Sequence, residues 1–250
     1  MRRIRSRIAL LQALALTACA HARSVAEPIT TDRPDATEGT DLVAPGWTQI
    51  EGGMTAYRAS RFNGASQSFG ELLVRVGAAR RLEARLEIPS VVTMTGSKRQ
   101  YSDPGLGIKT PLLIPADGAS RAIPALSLLA ATSVSTNWSA GPALGTPEIV
   151  LASAWSLSDR LDLAANAVTQ PFASGSGEQW VGITIATGVA LTERLGSYLE
   201  FYHLSTPTMN GGVTYRLTPD FQLDARAGMH SFRQPGNRTG FVGVGFATRW

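Results

Sequence analysis

The sequence has a single cysteine, Cys19, among its 250 residues. A chain with one cysteine cannot form an internal disulfide, so packing and hydrogen bonding alone must hold its fold. No stretch reaches 18 consecutive apolar residues, which argues against a membrane-spanning helix. Aromatic residues make up only 7% of the chain. Beyond the first 22 residues no helical periodicity of 3.6 persists, so a helical domain is not expected.

The first 22 residues have the composition of an export signal. Four arginines within the first seven residues precede an 11-residue apolar run over residues 8–18, and small residues follow. Charged, apolar and small residues in this order are typical of a secretory signal peptide, and the apolar run is too short to span a bilayer. We therefore expect residues 1–22 to be a signal peptide and the chain to be exported.

Two ways of processing the signal stay open. Residues 18–20 and 20–22 both have the pattern Ala-x-Ala of a cleavage site. Residues 16–19, Leu-Thr-Ala-Cys, resemble a bacterial lipobox instead, in which Cys19 would become the lipidated first residue of the mature chain.

The basic character of the sequence belongs to this signal. The whole chain has a net charge of +4, but residues 1–20 contain four of the 23 basic residues and no acidic one. This leaves 19 basic against 19 acidic residues, so the remaining chain has no charge excess that favours nucleic acid as a partner.

Apolar and polar residues alternate with a period of two along most of the remaining chain. The alternating segments are mostly 10–13 residues long, which suits a tilted membrane-spanning strand better than a strand of a soluble sheet. We predict an all-β fold, a transmembrane antiparallel up-and-down β-barrel of about 12 strands over residues 46–250. The predicted strands are 46–58, 69–79, 82–94, 104–114, 122–136, 146–157, 161–171, 179–191, 196–204, 208–217, 221–231 and 239–250.

The connections support a barrel over a soluble sandwich. Short links such as "AARRLE" and "LTPDFQL" join even-numbered strands to the next odd-numbered ones, and most other links are longer. Short turns at one rim and longer loops at the other are typical of outer-membrane barrels. An even number of strands places both termini at the short-turn, periplasmic rim. Trp250 would then close the last strand at the membrane interface, where aromatic rings are favoured.

The charges of the predicted strands fall on one face. The more apolar face would contact lipid, where a charge at the midplane costs about 2–4 kcal/mol. The charged face would line the lumen, and its mixed signs argue against strong ion selectivity. Candidate residues of the lumen or solute path are Glu51, Glu71, Arg75, Glu83, Arg85, Glu87, Lys109, Glu200, Arg216, Asp224, Arg226 and His230, and Glu148, Asp162 and Arg249 share their face.

Aromatic residues near strand ends or at outward positions would supply sparse girdles at the membrane interfaces. The candidates are Tyr57, Trp155, Tyr198, Phe201, Tyr215, Phe221, Phe246 and Trp250.

The motif "TDRPD" precedes the first predicted strand. It contains Asp32, Arg33 and Asp35, and Pro34 disfavours a helix at Arg33. Two interpretations of residues 23–45 stay open: a solvated periplasmic leader, or a plug in the barrel mouth where these three residues pair with lumen charges.

This motif carries a family resemblance. With "PGW", "QIEGG", "DPGLGIKTPLL", "GGVTYRLTPDFQLDARAG" and the closing "FVGVGFATRW", the chain resembles a bacterial family of transporter-like outer-membrane proteins. Its label refers to the meta-cleavage pathway of phenol degradation. The resemblance covers roughly residues 29 to 250. It implies a barrel that transports small solutes, aromatic ones among them, and it assigns no binding residue.

Three functions follow as hypotheses. The first is a channel for passive diffusion of small solutes, with outer-membrane lipids and the barrel assembly machinery as partners and no cofactor. The second is an outer-membrane lipid hydrolase using His203 and Ser205, although the orienting residue that such a pair needs is missing, since Asn210 should face inward. The third is a structural barrel with a filled lumen. Three histidines and one cysteine at scattered positions predict no metal site.

Overall fold

The computed structural model describes residues 28–33, 36–58, 65–94, 99–135, 143–171, 181–231 and 238–250. The predicted signal peptide with Cys19, and Asp35 of the motif, lie outside the described residues. The strands are β1 (Thr48–Tyr57), β2 (Ser66–Ala79), β3 (Leu82–Ile88), β4 (Val91–Met94), β5 (Gln100–Tyr101), β6 (Gly105–Leu113), β7 (Ala125–Ser133), β8 (Glu148–Ser156), β9 (Leu161–Thr169), β10 (Val181–Ala190), β11 (Leu195–His203), β12 (Pro207–Thr218), β13 (Phe221–His230) and β14 (Thr239–Arg249). In the part of the chain just given, no helix is long and apolar enough to cross a membrane.

These strands form one antiparallel sheet that closes on itself. Strands that follow one another in sequence pair, except that β3 does not pair with β4 or β5 with β6, and β1 pairs with both β2 and β14. Because β3 and β4 both pair with β2, and β5 continues into β6, the two pairs of segments form one barrel strand each. The closed barrel therefore has twelve strands, which confirms the predicted fold class.

Two prolines account for the interruptions. Pro89 lies between β3 and β4, and Pro104 lies between β5 and β6. Proline has no N–H to donate to a sheet ladder, so pairing stops on either side of it. The Ser90 N–H donates instead to Ser102 Oγ at 2.8 Å across the same gap.

The outer surface is apolar, as a lipid-facing wall requires. Ile108, Ile183, Leu199 and Val242 are each about half exposed, and they alternate along their strands with buried inward-facing residues. The prediction that aromatic residues form girdles at the membrane interfaces is wrong at two positions. Tyr57 lies opposite Phe241 and Tyr198 lies opposite Gly212, both on the inner face, so neither belongs to a girdle.

The chain enters the first strand through a tight turn. Trp47 N–H donates to Ala44 O at 3.0 Å, and Gly46 takes a positive φ of 81° that glycine adopts without strain. Thr48 and Trp250 then exchange two backbone hydrogen bonds of 3.0 Å, so both ends of the barrel sequence are fixed at the same rim.

Candidate functional site

The N-terminal segment, which we define as residues 28–33 and 36–47, lies inside the barrel. Its residues contact inward-facing side chains of strands spread around the closed sheet. The contacts pair Asp32 and Arg33 with Glu51 of β1, Ala36 and Thr37 with Glu200 of β11, Thr40 with Ser127 of β7, and Val43 with Glu83 of β3. A segment that reaches all of these strands must cross the lumen.

Wall carboxylates bind the backbone of this segment. Glu51 accepts the N–H groups of Asp32 at 3.0 Å and Arg33 at 2.9 Å. Glu200 accepts the Ala36 N–H at 2.9 Å and the Thr37 hydroxyl at 2.5 Å. An irregular segment has no ladder of its own, so these charge-assisted hydrogen bonds satisfy its buried donors.

A compact charge cluster surrounds Asp32. Its Oδ2 lies 3.1 Å from an Arg75 nitrogen, 3.1 Å from an Arg85 nitrogen and 3.6 Å from Lys109 Nζ. Glu38 lies 2.6 Å from Arg85 and 3.9 Å from Lys109. Glu83 and Glu51 of the wall also pair with Arg75, each at 2.9 Å, so the carboxylates of the segment complete a buried network that the wall acids begin.

The surroundings of Asp32 and Glu38 shift the pKa values of the two carboxyls in opposite directions. Burial by itself would raise the pKa of Asp32, but attraction to Arg75, Lys109 and Arg85 outweighs burial and lowers that pKa well below its usual range. Burial, followed by repulsion from Asp32, raises the pKa of Glu38 to about 7 despite Arg85 and Lys109. Glu38 is therefore the carboxyl of the cluster that binds a proton near neutral pH.

Arg33 occupies a slot at the junction of the first and last strands. It lies 3.1 Å from Glu71 of β2 and 3.7 Å from Asp224 of β13. A Cβ on Gly53 would lie 2.2 Å from Arg33 Nη2, and one on Gly245 would lie 2.7 Å from Arg33 Nε. Two neighbouring glycines in the wall therefore make the space for this guanidinium.

Most ion pairs of the lumen wall lie on one side, formed by β1, β2, β3, β6 and β13. On the opposite side Leu129, Val150 and Val168 form a buried cluster with Leu204, and uncharged polar residues such as Asn166 and Thr184 also point inward. The N-terminal segment binds the charged side through ion pairs and the other side through fewer contacts, such as Ser127 to Thr40 O at 2.6 Å.

Most of the predicted lumen residues meet at this segment. Glu51, Glu71, Arg75, Glu83, Arg85, Lys109, Glu200 and Asp224 all contact the N-terminal segment directly. Arg226 contacts Glu71 and Thr55, while Glu87 lines a neighbouring cavity. Arg216 lies apart at the periplasmic rim, where it donates to the carbonyl of Glu193. His230 lies at the other end of the lumen.

Sequence reasoning missed Glu38, Gln49 and the wall glycines. Gln49 shares the face of Glu51 and donates to Thr30 O at 2.8 Å. Its inward parity is the signal in the sequence, and charge alone does not reveal it because its side chain is a neutral amide. Gly53 and Gly245 also had inward parity, and glycine within a strand often marks close approach of another group.

Two cavities lie on opposite sides of the N-terminal segment. One, of about 310 Å³, is lined by Arg33, Glu38, Glu71, Glu87 and Asp103. The other, of about 670 Å³, lies towards the periplasmic rim and is lined by Thr30, residues 39–41, the connection at residues 115–121 and Trp155. Consecutive residues of one segment, Glu38 and Gly39, face the two cavities, so the segment is the partition between them.

The hydrolase hypothesis gains no geometric support. His203 and Ser205 are both exposed, and among the described residues neither makes a hydrogen bond to the other. Asn210 is buried on the inner face and donates to Glu200, so it does not orient His203. The described residues also contain no group of three metal-ligating side chains.

A closed barrel with an apolar outside and a charged inside is the architecture of an outer-membrane β-barrel protein. The chain belongs to the family described as "Putative MetA-pathway of phenol degradation", whose sequence profile matches residues 31–250. The family assignment and the fold place the protein in the bacterial outer membrane.

Solved structures share this fold at low sequence identity. The COG4313 outer membrane channel from Pseudomonas putida F1 is 12% identical, with a TM-score of 0.53 over 87% of this chain and 100% of that one. The KdgM porin is 10% identical, with a TM-score of 0.52 over 80% of this chain and 98% of that one. A comparison with curated proteins finds no match.

Proposed function

We propose that the protein is an outer-membrane channel that passes small solutes, aromatic ones among them, by passive diffusion, and that its N-terminal segment controls the opening. The observation that carries this proposal is the partition of the lumen. Cavities of about 310 and 670 Å³ are both lined by a segment that belongs to no strand. Movement of this segment would join the cavities without breaking the barrel wall.

The lining of the lumen supports the solute class. One side carries ion pairs, and the other carries Leu129, Val150 and Val168. A path between these two surfaces suits a molecule with an apolar ring and a polar substituent. The family description, which refers to phenol degradation, points to the same class.

The test is conductance of the refolded protein in planar bilayers, compared with a variant that lacks residues 28–44. We expect brief, small openings from the full chain and a steady, larger conductance from the deletion variant. Phenol added to one side should reduce the current through the open variant. Folding of both proteins is checked by heat-modifiable migration on gels.

A folded deletion variant that conducts no more than the full chain would contradict the proposal. It would favour the structural barrel instead, because the lumen would then be closed by something other than the segment. The structural barrel is the second candidate function because Glu51, Glu83 and Glu200 all hydrogen-bond to the segment and hold it in the lumen.

A further inference from the structure

Three ring side chains meet at the extracellular end of the lumen, away from the N-terminal segment. Tyr57 ends β1, Phe241 lies opposite it on β14, and His230 ends β13. Tyr57 is six residues beyond Glu51 along β1, a distance of about 20 Å in an extended strand. The function proposed above does not use this group.

The rings form a partly open apolar cup. The centroids of Tyr57 and His230 lie 5.8 Å apart with the rings nearly parallel at 19°. The Phe241 centroid lies 4.8 Å from that of His230 and 5.8 Å from that of Tyr57. Phe241 is 5% exposed and forms the base, whereas Tyr57 and His230 keep part of their surface open. Ring faces at these separations favour contact with another aromatic ring.

Hydrogen bonding around Thr208, whose hydroxyl also interacts with Tyr202, favours one tautomer of His230. The Thr208 hydroxyl lies 3.1 Å from Thr206 O, and a carbonyl can only accept, so the hydroxyl proton points there. Thr208 Oγ1 lies 2.8 Å from His230 Nδ1 and is left as the acceptor. In the neutral ring Nδ1 then carries the proton, and Nε2 presents a lone pair.

This lone pair has no partner among the described residues, because the bond to Thr208 is the one hydrogen bond of the His230 ring there. The backbone after His230 also holds the ring in place. Ser231 takes a positive φ of 53°, which is uncommon for a residue other than glycine, and its N–H donates to Pro207 O at 2.9 Å. Strain of this kind is often retained where a side chain must be aimed.

Arg226 lies next to the rings but does not supply a second group for binding a ligand. Arg226 lies 5.6 Å from the Phe241 centroid, but its guanidinium already donates to Thr55 at 2.9 Å and lies 3.8 Å from Glu71. The three side chains themselves therefore offer ring faces and one hydrogen-bond acceptor. This favours a ring that carries a hydroxyl donor.

We propose that Tyr57, His230 and Phe241 form a binding site for a neutral hydroxylated aromatic ring, whose hydroxyl donates to His230 Nε2. This site rests on the proposed function, since it would be the first contact of a solute with the lumen. It narrows the solute class from small aromatic molecules to those with a free hydroxyl.

The experiment compares phenol with anisole, which has the same ring but no hydroxyl donor. The full protein, labelled with ¹⁵N-histidine and embedded in nanodiscs, is titrated with each compound while the imidazole ¹⁵N signals are followed. The free protein should show His230 with the proton on Nδ1. Phenol should bind saturably and roughly tenfold more tightly than anisole, since one hydrogen bond distinguishes them.

Three variants separate the site from general partitioning into the membrane. His230→Leu should abolish the preference for phenol, while His230→Gln, which retains an acceptor, should keep much of it. His203→Leu, on the outer face, should change nothing. If His230→Leu fails to fold, Thr208→Val replaces it, and the loss of the favoured tautomer should reduce the preference.

The proposal is overturned if His230 carries its proton on Nε2, if phenol and anisole bind equally, or if the preference survives in the His230→Leu or Thr208→Val variant. Its failure differs from failure of the proposed function. Phenol bound at His230 in a barrel that never conducts would refute the channel and leave the site. A conducting barrel without the phenol preference would refute the site alone.

Discussion

At the residue scale, the glycines of the wall matter as much as its charges. A Cβ on Gly53 would lie 2.2 Å from Arg33 Nη2 and 2.6 Å from the Val244 carbonyl oxygen, which belongs to the backbone and cannot yield easily. Gly188 is also an inward-facing strand glycine, but a Cβ there would meet nothing within 4 Å. Gly53 is thus packed against Arg33 and the backbone, whereas Gly188 faces open space.

Replacing Gly53 with alanine should therefore displace Arg33 from its slot. We expect a loss of about 1–3 kcal/mol in unfolding free energy, as overpacking produces, and faster hydrogen exchange of residues 28–33. Urea titration in lipid vesicles and exchange mass spectrometry measure the two effects. Gly188→Ala is the matched control, and equal effects of the two substitutions would show that Arg33 does not need the slot.

Glu38 gives the closed lumen a pH dependence. Its pKa is about 7 when the segment is docked, against 4.5 for an ordinary glutamate. The docked state thus binds this proton more tightly than the released state, and docking is favoured at low pH. As the pH rises from 4.5 through 7, the contribution of Glu38 to docking is lost. Asp32 acts oppositely, but only below its ordinary pKa of 3.8.

We expect exchange of the Ala36 and Val43 amides to speed up between pH 5 and pH 8. After correction for the intrinsic rate, the increase should be at most about tenfold per pH unit. Glu38→Gln, which cannot ionise, should flatten this dependence while leaving the segment docked. A Glu38→Gln profile that still rises like the wild type would assign the effect to another group.

At the scale of strands, the sequence sufficed for most of the wall. A period of two reports which residues share a face, so parity alone predicts that Glu51, Arg75, Glu83 and Lys109 point into the lumen, where they lie. The break at Pro89 escaped prediction, because alternation continues across the predicted strand 82–94 although pairing stops at the proline. The short strand β5 lies before the predicted strand 104–114, in a segment that was expected to be a connection.

The contacts of the N-terminal segment could not be predicted in the same way. The segment has no regular period, and its partners are far away in sequence: Gln222 donates to Thr31 across 191 residues, and Glu200 accepts from Ala36 across 164. The charges of the motif indicated that pairing was plausible. They did not indicate which wall residue each would meet, because this depends on the three-dimensional path through the lumen.

The outward face allows a direct test of strand orientation. Ile185, at the centre of β10, is 42% exposed to the lipid side. An arginine there should cost about 2–4 kcal/mol, falling to about 0–1 near the interface. Leu191, just past the end of the same strand, is the control position. Urea titration in vesicles should give a lower unfolding free energy for Ile185→Arg than for Leu191→Arg, by about this difference. Equal unfolding free energies would mean that the strand lies at another depth in the membrane.

At the scale of the whole molecule, the N-terminal segment sets the charge of the lumen. Asp32 and Glu38 neutralise Arg75, Arg85 and Lys109. Without these two acids, the three cations would face only Glu51 and Glu83 at this level of the lumen, and the local charge would shift towards positive. The selectivity of the open path therefore depends on a residue outside the strands.

Asp32→Ala should shift the channel towards anions and raise its conductance. Removing one partner of a buried charge cluster leaves the remaining charges uncompensated, which also weakens docking by about 3–5 kcal/mol. The reversal potential under a salt gradient measures the selectivity. Asp159→Asn, in an exposed ion pair with Arg121, is the control. An unchanged reversal potential in open Asp32→Ala channels would place the ion path elsewhere.

The route of the N-terminal segment has a consequence for biogenesis. The segment is synthesised before the barrel strands, whereas its partners Glu200, Gln222 and Asp224 belong to the last fifth of the chain to leave the ribosome or lie just before it. It must remain unpaired during export and until β11 and β13 have been laid down in the membrane. Arg33 also bridges Glu71 on one side of the closing seam and Asp224 on the other. In the last step of assembly, pairing of β1 with β14 and docking of the segment in the lumen would then occur together.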